Sequence, residues 1–260
     1  MIRLAAAFLL ICAAPSFASQ CMQVADRPEA RVWRAALAPG EVRIRYIGHA
    51  ALRIETDRGQ AAVTDFYGAA GAGPAPDAVT MNHAHSSHWT RTPPAEIPHH
   101  LKGWSEGEER ARHWLQLGGL LIRNVTTDIR GGAGWERDGN SIFIFEYEGL
   151  CIGHLGHLHH LPSDEHYAQI GRLDVVMAPV DGGYTMSVDD MMTVLKRVRA
   201  RVVIPMHIFS GMALQRFLAG MADEFEIDTR PASEIVLSAR TMPEVPTVRL
   251  LAPERPHYDD

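Results

Sequence analysis

The stretch "VTMNHAHSSHWT", residues 79–90, places three histidines, His83, His85 and His88, directly after a short apolar run. "VTMN" reads as a strand, and an extended backbone turns alternate side chains to one face. His83 and His85 therefore leave the strand on the same side, where both imidazoles can reach one ion. His88, past a turn, can face the same space from another direction. A single histidine in such a place is ordinarily a hydrogen-bonded surface or core residue. Three at one strand end point to metal binding.

The pattern recurs twice. "CIGHLGHLHHLPSDEH" again follows an apolar strand and presents His154, His157, His159 and His160. A metal seldom takes more than four protein donors, so His159 and His160 read as a solvated turn. "VVIPMH" is a buried strand that stops at His207. The chain has 14 histidines, and many lie in these groups rather than being scattered.

Around these sites the chain reads as strands first, then alternating helix and strand. "EVRIRYI", "ALRIET" and "AAVTDF" form an opening antiparallel meander, and "GAAGAGPAPDA" is a flexible loop before "VTMN". "SEGEERARHWLQLG" is polar and helix-favouring, "LLIRNV" is a strand, and "RGGAGWERDGN" is a Gly-rich loop with Trp135 as an optional pocket wall. "SIFIFEYE" and "LCIGHLG" are joined by a turn. "DVVMAPV" and "RVVIPMH" are buried strands flanking an amphipathic helix whose Val188, Met191, Met192, Leu195 and Val198 fall at helical spacing. Such alternation fits an α/β layered domain.

At 260 residues with 46% hydrophobic content, the chain is long enough for one large domain. A net charge of -6 argues against nucleic acid or an anionic membrane as partner. Residues 1–18 carry Arg3, an apolar run and Ser16-Phe17-Ala18, the pattern of a secretory signal peptide, which leaves 19–260 as a single exported domain, periplasmic or secreted. The apolar run is too short for a membrane span, and the mature chain has no other candidate. Cys21 and Cys151 could bridge in that oxidising setting. Alternatively, Cys151 packs as a small hydrophobic thiol in its strand.

"YIGHAALRIETDRGQAAVTDF", "NHAHSSHW", "GHLGHLHHL", "DVVMAPVDGGYTM" and "VVIPMHIF", in that order, resemble the metallo-β-lactamase superfamily. The branch is similar to ascorbate-6-phosphate lactonase and related metal-dependent hydrolases. The resemblance runs from about residue 42 to about 210 and implies an αββα sandwich with a metal centre at one edge. By position, His83, His85 and His88 match histidines of the family's H-x-H-x-D-H, but Ser87 stands at its aspartate. Thr127, just before Asp128, stands at a further ligand histidine. His157 stands at the metal-bridging aspartate, and His207 at the terminal ligand. Asp65 matches a residue that supports ligand histidines, and His49 a histidine facing the cavity.

Without two carboxylates, a second dication is less favourable, because the ion-ion repulsion is no longer offset. One divalent ion is therefore favoured over two, with zinc as the default. His83, His85 and His157 are its most economical ligands, and His88 and His207 lie nearby as further ligands or outer donors. His88, His207 or Asp128 could move protons, with Asp128 also a replacement carboxylate. His154 and Tyr184 could support the ligands or contact substrate. The expected activity is hydrolysis of a small-molecule ester, lactone, amide or phosphoester by metal-activated water. The alternative is a superfamily member that has lost catalysis and binds a metal or ligand.

Overall fold

The computed structural model describes residues 37–254 apart from 108, 132 and 133. The signal peptide read at 1–18 and Cys21 lie outside the described residues. The first sheet takes β1 (Val42–Gly48), β2 (Ala51–Thr56), β3 (Ala61–Val63), β4 (Ala78–Met81) and β5 (His99–Lys102). Then come β6 (Trp114–Leu117), β7 (Leu120–Gly131), β8 (Gly134–Tyr147) and β9 (Leu150–His154). They are followed by α1 (Asp164–Ile170), β10 (Val175–Pro179), α2 (Val188–Val198), β11 (Val202–Met206), α3 (Gly211–Met221), β12 (Glu226–Asp228), β13 (Glu234–Leu237) and β14 (Thr247–Arg249).

The strands form a six-stranded sheet, β13-β1-β2-β3-β4-β5, and an eight-stranded sheet, β12-β14-β11-β10-β9-β8-β7-β6. β1, β2 and β3 pair antiparallel, as the opening meander predicts, whereas β4 runs parallel to β3. Alternate residues of both sheets meet in the central core, among them Ile44, Leu52, Ile54, Phe143, Phe145, Ile152, Met177 and Ile204. Fully burying each such side chain contributes about 1.5–3 kcal/mol. This is the two-sheet α/β sandwich that the resemblance implies.

Helical residues Ile170, Val188, Met191, Leu195, Phe217 and Met221 pack on the outer face of the eight-stranded sheet. The outer face of the other sheet is covered, among the described residues, by Phe66, Ile97, Trp89 and Trp104 rather than by a helix. In α2, Val188, Met191, Val194 and Leu195 are buried, and Ser187 caps the helix by accepting from the Asp190 N–H. No helix of the described residues is long and apolar enough to cross a membrane.

Two local expectations are corrected, and one that was left open is decided. Residues 105–118 contain no helix among those described; the segment ends as edge strand β6. Its Glu and Arg residues favour helix, but it has no apolar stripe to bury, and a short helix without one is marginal. Instead, the His113 N–H donates to Asn124 Oδ1 at 2.7 Å, tethering the segment beside β7. The described residues of the Gly-rich stretch 130–140 extend the β7–β8 hairpin, pairing as far as Gly131 with Gly134. Finally, Cys151 is fully buried but is half of a disulfide rather than a free thiol.

Candidate metal centre

Six side chains meet at one end of the sandwich because six strand ends meet there. His49 forms the turn between β1 and β2, Asp65 follows β3, and His88 follows β4. On the other sheet His157 follows β9, Asp181 follows β10, and His207 follows β11. β9, β10 and β11 are parallel, so their carboxyl ends open on the same side, the usual place for a site in such sheets. The two sheets are tied there by the His207 N–H, which donates to the His49 carbonyl at 2.8 Å. The Tyr46 hydroxyl donates to the same carbonyl at 2.6 Å.

The backbone is strained at this junction. His49, Asp65 and His207 have φ of 54°, 43° and 55°. Left-handed backbone at a non-glycine residue costs on the order of 1–3 kcal/mol and persists where the surroundings over-determine it.

The ligand atoms of His49, His88 and His207 lie within 4.8 Å of one another, and all three residues are buried. No other group of three or more His, Cys, Asp or Glu residues converges in this way among the described residues. Two rings are oriented by carboxylates: His88 Nδ1 lies 2.8 Å from Asp65 Oδ2, and His207 Nδ1 lies 2.9 Å from Asp181 Oδ2. Each ring hydrogen is thereby held on Nδ1, which leaves Nε2 as the lone pair. His88 is fully buried, and its Nε2 has no hydrogen-bond partner. A buried nitrogen without a partner is costly, and a cation supplies what it lacks.

The electrostatics suit a cation. Burial pushes the His88 imidazole well below its usual range, and the neighbouring histidines push the same way. Its donor form is therefore neutral at pH 7. Burial raises the Asp65 carboxyl to about 6, against the pull of His154 and the Asn82 N–H, so it is still ionised at pH 7. Asp181 goes the other way: burial opposes ionisation, but hydrogen bonds from His207, Thr185 and Gly183 win and hold it below the carboxylate range. The residues present thus fit a divalent ion held by neutral imidazoles with carboxylates behind them.

The remaining residues expected at the site are placed differently. His83 is half-buried, with Nδ1 2.8 Å from the Gly139 carbonyl and its ring centroid 5.4 Å from that of His157. His85 is exposed and pairs with Ser87 Oγ at 2.9 Å. His83, His85 and His157 are therefore not the converging trio. His154 is fully buried with both nitrogens engaged, Nδ1 by Asn82 Nδ2 at 3.1 Å and Nε2 by the Ala50 carbonyl at 2.8 Å. The Asp128 carboxylate accepts the Asp138 N–H at 2.9 Å. It lines a polar cleft of about 210 Å³ with Arg110, Arg137, Glu165 and His166, none of them in the histidine cluster. Tyr184 is exposed and stacks edge-on against Phe209, whose ring is 4.8 Å from His207. Trp135 is exposed against His160.

Asp181 escaped sequence reasoning although it stands in "DGGYTM". Its signal was available: a carboxylate immediately after a continuous apolar strand, followed by two glycines, is placed to collect backbone N–H groups. Asp181 Oδ1 accepts from Gly183, Tyr184 and Thr185.

A family model described as a beta-lactamase superfamily domain matches residues 43–207. A metal-dependent hydrolase of Methanoculleus marisnigri is 24% identical over 197 residues, 68% of this chain and 85% of that protein. One of Methanoregula boonei is 26% identical over 151 residues, 52% of this chain and 68% of that protein. Among solved structures, a Thermotoga maritima protein described as a candidate Zn-dependent hydrolase of the metallo-beta-lactamase superfamily superposes with a TM-score of 0.58 at 25% identity. That match covers 81% of this chain and 98% of that one.

Proposed function

Since this chain belongs to the beta-lactamase superfamily through residues 43–207, we propose that it is a metal-dependent hydrolase of a small-molecule ester, lactone, amide or phosphoester. The observation that carries the reading is the buried, unpartnered Nε2 of His88 beside His49 and His207, with Asp65 and Asp181 behind two of the rings. His88 and His207 would hold one zinc ion through Nε2, with His49 as third ligand. Both carboxylates are occupied by ring and backbone N–H groups, so neither is free to bridge two adjacent dications. When bound, the ion supplies Lewis-acid polarisation of a substrate oxygen and acidifies water.

The chain's own residues do the rest. Asp65 and Asp181 keep the ligand hydrogens on Nδ1. Phe209 and Tyr184, 43% and 68% exposed, form an apolar edge beside His207 for the organic part of a substrate. Export through residues 1–18 belongs to this proposal and rests on the sequence alone.

The test is metal analysis of the purified protein with a panel of ester, lactone, amide and phosphodiester substrates. About one zinc per chain, with turnover lost to a chelator and restored by zinc, is the expected outcome. Stoichiometric zinc with no turnover on any substrate favours the alternative, a superfamily member that only binds. Absence of zinc under all loading conditions refutes the centre.

A further inference from the structure

Three imidazoles around the centre are wired alike. His83, His88 and His207 each direct Nδ1 at an oxygen acceptor, the Gly139 carbonyl, Asp65 and Asp181 respectively. Their hydrogens sit on Nδ1, and each presents Nε2 as a lone pair. His157 lies among them, its ring centroid 5.4 Å from His83, 4.6 Å from His88 and 5.4 Å from His207.

Its wiring is reversed, and the cause begins outside the centre. The Arg130 backbone N–H donates to His159 Nδ1 at 2.9 Å, and the Arg130 Nε adds a second donor at 3.3 Å. A nitrogen that receives N–H groups carries no hydrogen of its own, so neutral His159 carries its hydrogen on Nε2. That Nε2 lies 2.6 Å from His157 Nδ1. His159 therefore donates, His157 Nδ1 accepts, and the hydrogen of neutral His157 is left on Nε2. Protonation of His159 would break the chain by setting N–H against N–H at Arg130. Burial and the Arg130 charge oppose it, pushing His159 down to about 4.

We propose that His157 is a catalytic hydrogen-bond donor rather than a metal ligand, its Nε2–H meeting the substrate oxygen that gains negative charge during hydrolysis. This rests on the hydrolase reading of the centre. No bond forms or breaks at His157; the proton stays on Nε2 while charge builds opposite it. The ligand class that follows is a substrate or product bearing an oxyanion. By resemblance the position would hold a metal-bridging aspartate, which only accepts and would repel such an oxygen. The imidazole N–H reverses that preference.

Two measurements on the full chain decide it. In long-range ¹H–¹⁵N NMR, the metal-free protein should show His157 and His159 as Nε2–H tautomers and His88 and His207 as Nδ1–H. His157 should keep its pattern after one equivalent of zinc. A His157 found as Nδ1–H, or an Nε2 that shifts as a zinc-bound nitrogen, overturns the proposal. The second measurement uses inorganic phosphate as the oxyanion probe with the zinc-loaded protein. His157→Phe should weaken phosphate about tenfold, as loss of a hydrogen bond to a charged group does. His157→Gln, which retains an N–H donor, should restore most of it, and zinc content should not change in either. Loss of zinc from a folded His157→Phe, or phosphate affinity that is equal or absent in both wild type and variant, overturns the donor role. If the wild type holds no zinc, the metal reading fails separately, and the tautomers of the metal-free protein still test this inference.

Discussion

Replacing Asp181 by Asn isolates the orientation of the His207 ring. The carboxylate takes the N–H groups of Gly183, Tyr184 and Thr185 on Oδ1 at 2.9, 2.6 and 2.9 Å. Its Oδ2 takes the Thr185 hydroxyl at 2.6 Å and His207 Nδ1 at 2.9 Å. An asparagine can keep its carbonyl on the three amides, so the loop after β10 should survive. Its NH₂ then stands where Oδ2 stood. The Thr185 hydroxyl can rotate and accept, but the His207 Nδ1–H meets another donor. The ring escapes by moving its hydrogen to Nε2, which removes the lone pair that faces the centre.

Two independent magnitudes agree on the cost. A hydrogen bond to a charged group is worth about 1.5–3 kcal/mol. Losing the outer partner of a ligand histidine weakens metal binding by about 10–100-fold, which corresponds to about 1.4–2.8 kcal/mol. Competition for zinc against a chromophoric chelator measures this directly, with circular dichroism confirming that the variant is folded. Zinc affinity of a folded Asp181→Asn variant equal to that of the wild type would refute the claim that Asp181 sets the His207 tautomer.

His88→Ala should abolish zinc retention, since it removes the buried lone pair and leaves Asp65 without its ring partner; full zinc content in the folded variant would show that the ion sits elsewhere. Gly156→Ala should destabilise the protein by about 2 kcal/mol or more, because φ is +59° and the added Cβ would stand 2.4 Å from Asn82 Nδ2 and 2.5 Å from Asn140 Oδ1. A thermal midpoint within a degree or so of wild type would contradict this. Acid should destabilise the metal-free protein. Burial first of all lowers the pKa values of His88, His154, His157 and His159 in the fold, whereas in the unfolded chain they titrate near 6.5. Below about pH 6.5 the unfolded state therefore takes up protons that the folded state does not, and stability falls as pH falls toward about 5. His83 and His166 are lowered in the same way, while Asp65, raised to about 6, and Asp174, also raised by burial, act oppositely as two groups against six. A midpoint that is unchanged or higher at about pH 5.5 than at about pH 7.5 would refute the sign.

Much of the fold was legible because periodicity is local. β1, β2 and β4, the buried strands β10 and β11, and helix α2 follow from alternation, apolar runs and helical spacing. The failures were also local in origin: 105–118 had helical composition but no apolar face, and 130–140 had loop composition but a long partner strand to extend along. The strand ends carrying the site were legible for the same reason as the strands. His83, His85, His88, His157 and His207 all follow apolar runs.

The sequence by itself determined that histidines would stand at several strand ends of an α/β sandwich; that Ser87 and His157 stand where carboxylates are usual was implied by the family resemblance. Only the tertiary structure decided which nitrogens converge. An imidazole has two nitrogens, and whether one is a lone pair or an N–H depends on the partner of the other. For His88 and His207 the partners are carboxylates 23 and 26 residues away. For His157 the partner is His159, itself set by an Arg130 amide 29 residues away. Those contacts exist only once β3, β4, β7, β9, β10 and β11 have packed, which is why the residue types could be read along the chain and their chemical roles could not.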